Sequence, residues 1–269
     1  VDIKKKKFFS LDIKKNKKKV FSVNKEIGFL AHVKGFIFIL GLQGELRIQN
    51  IKTKKIIKSI FIEKNLRLNR INDGKTDPEG NLWFGTMDNL ERKIEKGSLY
   101  KLDKKLIITQ VDTNYKITNG PAFIDQSNFY HTDSAKKIIY KIKINKNNKI
   151  INKRVFKKFK STDGSPDGMT LDRNKNLWIA HFHGARISVL NSKAKLIHSI
   201  DLPAKNITNC AFGGKKNNHL FVTSATKGLN KSDLQKFKYS GCLFSVKTNT
   251  RGILQKKFTY KYEKKRSLL

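Results

Sequence analysis

The feature that most constrains the fold of this chain is a repeat of about 45 residues. Residues 72–83 (NDGKTDPEGNLW) match residues 166–178 (PDGMTLDRNKNLW) with one inserted residue, so that Asp73 pairs with Asp167. Asn119 stands between these two positions and Asn209 follows them, and the four anchors are 46, 48 and 42 residues apart. Each interval is the length of one four-stranded blade of a β-propeller.

Short apolar and β-branched runs recur between clusters of Gly, Asn, Asp and Lys, whereas helical periodicity is scarce, so the chain is predicted to be all-β. Those runs are residues 35–40, 81–85, 128–132, 176–180 and 219–223. One period before Asp73, Glu26 opens a weaker fifth repeat, and a sixth would fall about twenty residues before Val1. We therefore expect one domain over residues 1–269, a six-bladed β-propeller whose first blade is incomplete. Residues 241–245 and the basic tail to Leu269 would supply its last blade.

Length and composition are consistent with such a domain. A chain of 269 residues with 38% hydrophobic residues can bury a substantial core. No run approaches the roughly 18 apolar residues of a membrane span, so no membrane partner is predicted. The only cysteines, Cys210 and Cys242, exclude a disulfide framework and favour two free, buried thiols in a reducing cytoplasm. Export stays open as an alternative, because the start of the chain is expected to be missing.

The formal net charge of +37 raises the question of nucleic-acid binding. The chain has 49 Lys but only 9 Arg, the residue preferred for base and phosphate recognition. The lysines are also dispersed along the whole sequence. We interpret them as a solvated surface and expect no specific nucleic-acid partner, with nucleic-acid binding kept as a minority alternative.

The repeat also predicts a candidate site, because equivalent loops of successive blades converge around one central channel. Asn72 and Asp73, Asn119, Asp167 and Asn209 occupy such equivalent positions. Their carboxylate and amide oxygens suit calcium, magnesium or manganese, and zinc is admissible. The alternative is local, since Asn-Gly and Asp-Gly are strong turn dipeptides and each one taken singly favours a turn.

Residues 70–87 (RINDGKTDPEGNLWFGTM) resemble the R-x-N-D-G-K-x-D-P-x-G…G-T-M signature of the SMP-30/gluconolactonase/LRE family. Three further segments agree with that family in order and spacing, namely residues 118–123, 166–180 and 208–225. The likeness runs from Val1 to about Phe244, which is nearly the whole chain.

The resemblance implies a six-bladed propeller with one divalent metal in its channel, held by Glu, Asn and Asp. The Asn corresponds to Asn119 and the Asp to Asp167, while the substrate-binding Arg and Asn correspond to Arg70 and Asn72. The Glu belongs to a G-E-x-P-x-W motif that this sequence lacks. We therefore expect the start of the first blade, with its Glu, to be missing from this sequence. Metal affinity and lactonase activity should then be lower than in a chain with that segment restored.

The resemblance further implies a lactonase that opens a sugar lactone by attack of metal-activated water, with Asp167 as general base and Arg70 and Asn72 orienting the substrate. One alternative is an esterase or organophosphatase on the same scaffold. Another is a non-enzymatic calcium- or metal-binding propeller. Which lactone, which metal and which oligomeric state apply are left open by the sequence.

Four other residues receive structural interpretations or low weight as functional residues. His181 and His183 are spaced to share one face of a strand, and a structural or surface role is favoured over zinc binding. Asp133 is predicted to be a hydrogen-bonding residue within a blade. Glu91 aligns only loosely with a substrate-facing acid of some relatives.

Overall fold

The fold is described by a computed structural model that covers residues 1–260. The end of the predicted basic tail, residues 261–269, lies outside the described residues. The described chain is built almost entirely from short antiparallel strands. Its exceptions are a 3-10 turn at Ser161–Asp163 and one short helix, α1, at Lys231–Lys236.

Four of the sheets have four strands each, and in all four every strand pairs with its neighbours in sequence. The first comprises β3 (Ile27–Lys34), β4 (Ile37–Leu42), β5 (Glu45–Asn50) and β6 (Ile56–Phe61). The second comprises β7 (Asn69–Thr76), β8 (Leu82–Asp88), β9 (Gly97–Leu102) and β10 (Ile108–Tyr115). The third comprises β11 (Thr118–Phe123), β12 (Asn128–Asp133), β13 (Ile138–Ile144) and β14 (Ile150–Lys158). The fourth comprises β15 (Ser165–Leu171), β16 (Leu177–Phe182), β17 (Arg186–Leu190) and β18 (Leu196–Asp201).

A fifth sheet has three strands, β19 (Asn206–Gly213), β20 (His219–Ala225) and β21 (Leu243–Lys247). The first strand of each sheet contacts the first strand of the next, from β3 through β7, β11 and β15 to β19. This is the arrangement of a β-propeller, in which the first strands surround a central channel. The all-β propeller predicted from the repeat is confirmed.

The predicted number of six blades is wrong, because the described residues form five. The remaining strands, β1 (Lys7–Asp12) and β2 (Lys17–Ser22), pair only with each other. One face of this hairpin is anchored, since Phe8 and Phe21 stack with ring centroids 4.7 Å apart and pack beside Ile27. The expected incomplete blade is therefore a two-stranded hairpin beside the first blade. The segment that was expected to supply a last blade instead adds β21 to the fifth.

The repeated NLW segments fold into the same hydrogen-bonded turn in two blades. Between β7 and β8, the Asp77 carboxylate accepts from the Asn81 backbone and side chain and, at 2.9 Å, from Trp83 Nε1. Between β15 and β16, Asp172 accepts in the same way from Asn176 and, at 3.1 Å, from the indole of Trp178. All but Asn176 of these side chains are buried, so each turn satisfies its own polar groups inside the core.

The core is divided into apolar clusters within and between neighbouring blades. The largest joins the first two blades, where Phe29, Ile71 and Phe84 pack together. Phe258 belongs to the same cluster, and its backbone N–H donates to His32 O at 2.8 Å. The end of the described chain is thus fixed against the first two blades.

The two cysteines differ from each other in exposure. Both thiols are free, as predicted, but only Cys210 is buried. Cys242 is exposed, which corrects the expectation of two buried thiols, because it precedes β21 at the uncovered edge of the three-stranded sheet. Within residues 1–260, no helix has the length and apolar character needed to cross a membrane.

The indole–carboxylate turn leads to a test of stability. Trp178→Phe removes the N–H donor to Asp172 while keeping most of the apolar area, so a buried carboxylate oxygen loses a partner. We expect the free energy of unfolding to fall by about 1–3 kcal/mol, measured by urea denaturation. Tyr239→Phe, at a side chain that is 58% exposed, should stay within about 0.5 kcal/mol of the parent. Equal effects of the two changes would contradict a structural role for the turn.

Candidate active site

The repeat anchors lie where the first strand of each blade departs from regular pairing. Every first strand shows such a shift in register, and in four blades the repeat anchor lies within or beside it. The shifts fall between Ile27 and Phe29, Ile71 and Gly74, Asn119 and Ala122, Pro166 and Met169, and Ile207 and Asn209. An irregularity of this kind bends a strand and redirects its side chains. It explains how residues of one β-strand can be turned toward the channel.

Two anchors also use their side chains to stabilise the local backbone, as the turn interpretation expects. Asp73 Oδ1 accepts from Gly74 N at 2.8 Å, and Asn209 Oδ1 accepts from Cys210 N at 2.8 Å. Asp73 has a second partner in the next blade, since its Oδ2 accepts from Gly120 N at 2.9 Å. Asp73 therefore fixes the second blade to the third.

Glycine lets the first strands approach one another closely. A Cβ atom on Gly168 would lie 2.2 Å from the side chain of Asn209 in the next blade. A Cβ atom on Gly28 would lie 2.4 Å from the carbonyl oxygen of Asn72. Any larger residue would push these blades apart, so both glycines keep the candidate site compact.

A continuous hydrogen-bond network connects three of the predicted site residues. Arg70 Nη1 donates to Asn72 Oδ1 at 2.5 Å, and Asn72 Nδ2 donates to Asn119 Oδ1 at 3.1 Å. Asn119 Nδ2 donates to Ser134 Oγ at 2.8 Å, and Ser134 Oγ donates at 2.5 Å to the carbonyl oxygen of Pro166. The network thus runs from Arg70 to the residue next to Asp167. Because its amide nitrogen is bound to Ser134, Asn119 directs its oxygen toward Asn72.

The electrostatics of the site centre on two carboxyl groups. Burial raises the pKa of Asp167 well above its ordinary value, and the nearby charge of Asp73 raises it further, although Arg70 opposes the shift. Burial also raises the pKa of Asp73, opposed by the ammonium group of Lys75. Lys75 is held in place by a hydrogen bond to the carbonyl oxygen of Met169 in the fourth blade. A carboxyl group in such surroundings is stabilised as an anion when a cation is close to it.

Glu91 lies at one end of this network, in the segment between β8 and β9. Its Oε1 accepts from Arg70 Nη2 at 3.4 Å and also from Lys227 Nζ. Burial favours the neutral acid, but the charges of Lys227 and Arg70 outweigh it and lower the pKa of Glu91. The loose alignment of Glu91 gave it little weight in the sequence, yet it contacts a predicted substrate-binding residue.

Sequence reasoning missed Lys75 and Lys227. Lys75 carried a signal, because it belongs to the signature that starts at Arg70. Lys227 carried none, since it is 136 positions from its partner Glu91. Lys227 and Glu91 come together only in the folded chain.

The other candidates have structural roles. His181 is fully buried, with Nδ1 2.9 Å from Asp163 O and Nε2 2.6 Å from Ser188 Oγ. His183 lies beyond the end of β16 and does not share a strand face with His181. Asp133 is buried and accepts from backbone N–H groups such as that of Lys116, at 3.0 Å.

Comparison with known proteins places the chain in a family. The model of the SMP-30/Gluconolactonase/LRE-like region matches residues 1–226. The chain belongs to this family. A 6-deoxy-6-sulfogluconolactonase of Pseudomonas putida is 26% identical over 88% of this chain and 79% of its own length.

Two solved structures share the fold. A luciferin-regenerating enzyme, 30% identical, superimposes with a TM-score of 0.86 over 95% of this chain and 89% of its own. A calcium-binding regucalcin of Agrobacterium tumefaciens, 22% identical, gives a TM-score of 0.89 over 95% of this chain and 87% of its own. For three curated relatives that are 32–39% identical, the chain spans only 58–63% of their length.

The raised pKa of Asp167 predicts how stability depends on pH in chelator-treated protein. As pH rises above about 4, the unfolded chain ionises this carboxyl before the folded chain does, so its contribution to stability is lost. Asp167→Asn should therefore be more stable than the parent at pH 7 by at least about 1 kcal/mol, and the difference should vanish below about pH 4.

Urea denaturation from about pH 3.5, just below the ordinary pKa of Asp, to about pH 8 measures this difference. Asp201→Asn, at an exposed carboxylate, is the matched control and should change stability little at any pH. A pH-independent effect of Asp167→Asn would contradict the assigned environment.

Proposed function

We propose that this protein is a divalent-cation-dependent hydrolase that opens sugar lactones to their acids. The observation that carries the proposal is one partly buried carboxyl group of raised pKa, Asp167, beside the network of Arg70, Asn72 and Asn119. Membership of the family and the lactonase named among its relatives support the same reaction.

The residues of the site fit a hard cation. Within residues 1–260, no three His, Cys, Asp or Glu side chains form a metal-binding group, so the donors available are carboxylate and amide oxygens with water. Asp167 and Asn119 would hold the ion, and the raised pKa of Asp167 is the property that a bound cation would reverse. The ion supplies Lewis-acid activation of the lactone carbonyl and of a water molecule. Calcium, magnesium, manganese and zinc remain the candidates, and the calcium-binding relative supports the first of them.

Arg70 has a free donor for the substrate. Its side chain is 95% buried, and its Nε has no hydrogen-bond partner among the described residues. Unpaired buried donors are rare and costly. A sugar hydroxyl or the developing oxyanion would satisfy this N–H group, with Asn72 fixing the guanidinium in place.

The chemistry is a simple hydrolysis. The Asp167 carboxylate accepts a proton from the water that adds to the lactone carbonyl carbon. The bond between that carbon and the ring oxygen breaks, and the ring oxygen takes up a proton to become a hydroxyl group. Arg70 stabilises the negative charge that develops on the carbonyl oxygen in between.

Loss of the carboxylate tests the proposal. Asp167→Ala removes both the proton acceptor and the anionic cation ligand, so we expect lactone hydrolysis to fall at least about 100-fold, measured as acid release at constant pH with each of the four cations. Lys146→Ala, at an exposed turn, is the control. If Asp167→Ala loses no more lactone hydrolysis than Lys146→Ala does, the assignment is refuted.

Rival functions separate in the same assay. Faster turnover of aryl esters or organophosphates than of lactones would favour another hydrolase on this scaffold. Cation binding, measured by calorimetry, without turnover of any of these substrates would favour the non-enzymatic calcium-binding alternative.

A further inference from the structure

An ion pair connects the second and fifth blades of the propeller at one end of its channel. Lys227 lies between β20 and β21 of the fifth blade, and Glu91 lies between β8 and β9 of the second. Both segments join the second strand of a blade to the third, so they extend from the same end of the molecule. Lys227 Nζ nevertheless donates to Glu91 Oε1, the same oxygen that accepts from Arg70 Nη2.

The backbone of Lys227 is fixed by a hydrogen bond, whereas its side chain reaches into solvent. Its carbonyl oxygen accepts from Asn206 Nδ2 at 2.8 Å, and the Oδ1 of the fully buried Asn206 accepts from His183 N at 3.2 Å. The Lys227 side chain itself is 51% exposed. A lysine with a fixed backbone and an accessible ammonium group can exchange one hydrogen-bond partner for another without any movement of a blade.

The charges at this position are unbalanced. One carboxylate oxygen of Glu91 is shared by Arg70 and Lys227, so a single negative charge faces two positive charges. Two other acids lie near Arg70. Glu26 is occupied by Lys4, whose Nζ lies 3.1 Å from its Oε1, and Asp167 belongs to the inner part of the site. An additional anion beside Lys227 would complete the balance, with Glu91 keeping Arg70 as its partner.

We propose that Lys227 is a specificity-determining residue that binds an anionic substituent of the lactone, remote from the carbonyl group that is opened. The inference rests on the proposed function, since Arg70 is assigned there to the substrate. The substituent replaces Glu91 as the partner of Lys227. Lactones that carry a carboxylate are therefore preferred over otherwise identical lactones that carry a hydroxymethyl group.

The test compares glucaro-1,4-lactone, which carries a carboxylate, with glucono-1,4-lactone, which carries a hydroxymethyl group in place of that carboxylate. In Lys227→Gln, the ratio of kcat/KM for the acidic lactone to that for the neutral lactone should fall about tenfold, as expected for loss of a charged hydrogen bond. Lys227→Arg should largely retain the ratio. Lys231→Gln, at an exposed lysine of the same segment, is the matched control and should leave the ratio unchanged.

Two results would overturn the inference. An equal rise or fall of kcat/KM for both lactones would show that the ion pair only restricts access to the channel or supports the fold. Values of kcat/KM that stay unchanged for both lactones would show that Lys227 does not recognise the substituent. Rising salt should lower the ratio more in the parent than in Lys227→Gln, because the half-exposed charge of Lys227 is screened in addition to the charge of the other lysines.

A binding measurement separates this inference from the proposed function. If no lactone is hydrolysed, the proposed function fails, and calorimetric titration with glucarate and gluconate still tests Lys227. A loss of glucarate affinity in Lys227→Gln that exceeds the loss of gluconate affinity about fivefold or more would support anion recognition. Equal losses for the two acids would overturn it.

Discussion

The electrostatic attraction between the buried Asp73 and the partly buried Lys75 is the interaction on which the inner part of this molecule depends. Asp73 accepts from Gly120 N in the third blade, and Lys75 donates to Met169 O in the fourth. Both residues belong to β7, so one strand of the second blade holds two further blades in position. A buried charge of either sign alone would be costly, and the opposite charge offsets part of that cost for each residue. Removal of one partner would leave the other uncompensated and would loosen the contact between three blades.

The same strand supplies the candidate substrate-binding residues. Arg70 and Asn72 precede Asp73 directly, so the contacts that fix Asp73 also limit where they can lie. The Asn72 side chain donates to Asn119 at the contact between the second and third blades, which the hydrogen bond of Asp73 to Gly120 N also stabilises. What remains is Asp167, whose carboxyl group has Asp73 as a like-charged neighbour and receives no compensating lysine. An unfavourable environment of this kind is expected where chemistry takes priority over stability.

Much of this arrangement was predictable from the sequence, because a propeller repeats its local structure. The spacing of Asp73, Asn119, Asp167 and Asn209 predicted one equivalent position in each of four blades, although these residues lie on first strands and not in the expected loops. The paired NLW segments were predicted as strands, and the turn that precedes both strands was not foreseen. Periodicity does not specify how many strands join a sheet, since that depends on pairing between distant segments. The number of blades was therefore wrong, because the expected incomplete blade is a separate hairpin of β1 and β2. The exposure of Cys242 was not foreseen. The contact of Lys227 with Glu91 was equally inaccessible, because it joins segments of two blades that no sequence pattern relates.

Charge acts at two ranges in this molecule, and the two have different consequences. The lysines dispersed over the surface attract any anion, and salt screens that attraction within about 10 Å, so it favours anionic over neutral lactones but cannot distinguish one anionic lactone from another. In the proposed function, Lys227 and Arg70 would contact a bound molecule at hydrogen-bond distance, where geometry decides the outcome. Hydrolysis of a lactone also creates a new carboxylate beside Asp167. If Asp167 is ionised at that moment, the two like charges repel each other, and the reaction itself favours release of the acid from the inner end of the site while the outer cations continue to hold any remote anionic group. Lys227 therefore has to bind such a group weakly enough to let the product leave, which a half-exposed ammonium group does and a buried guanidinium would not.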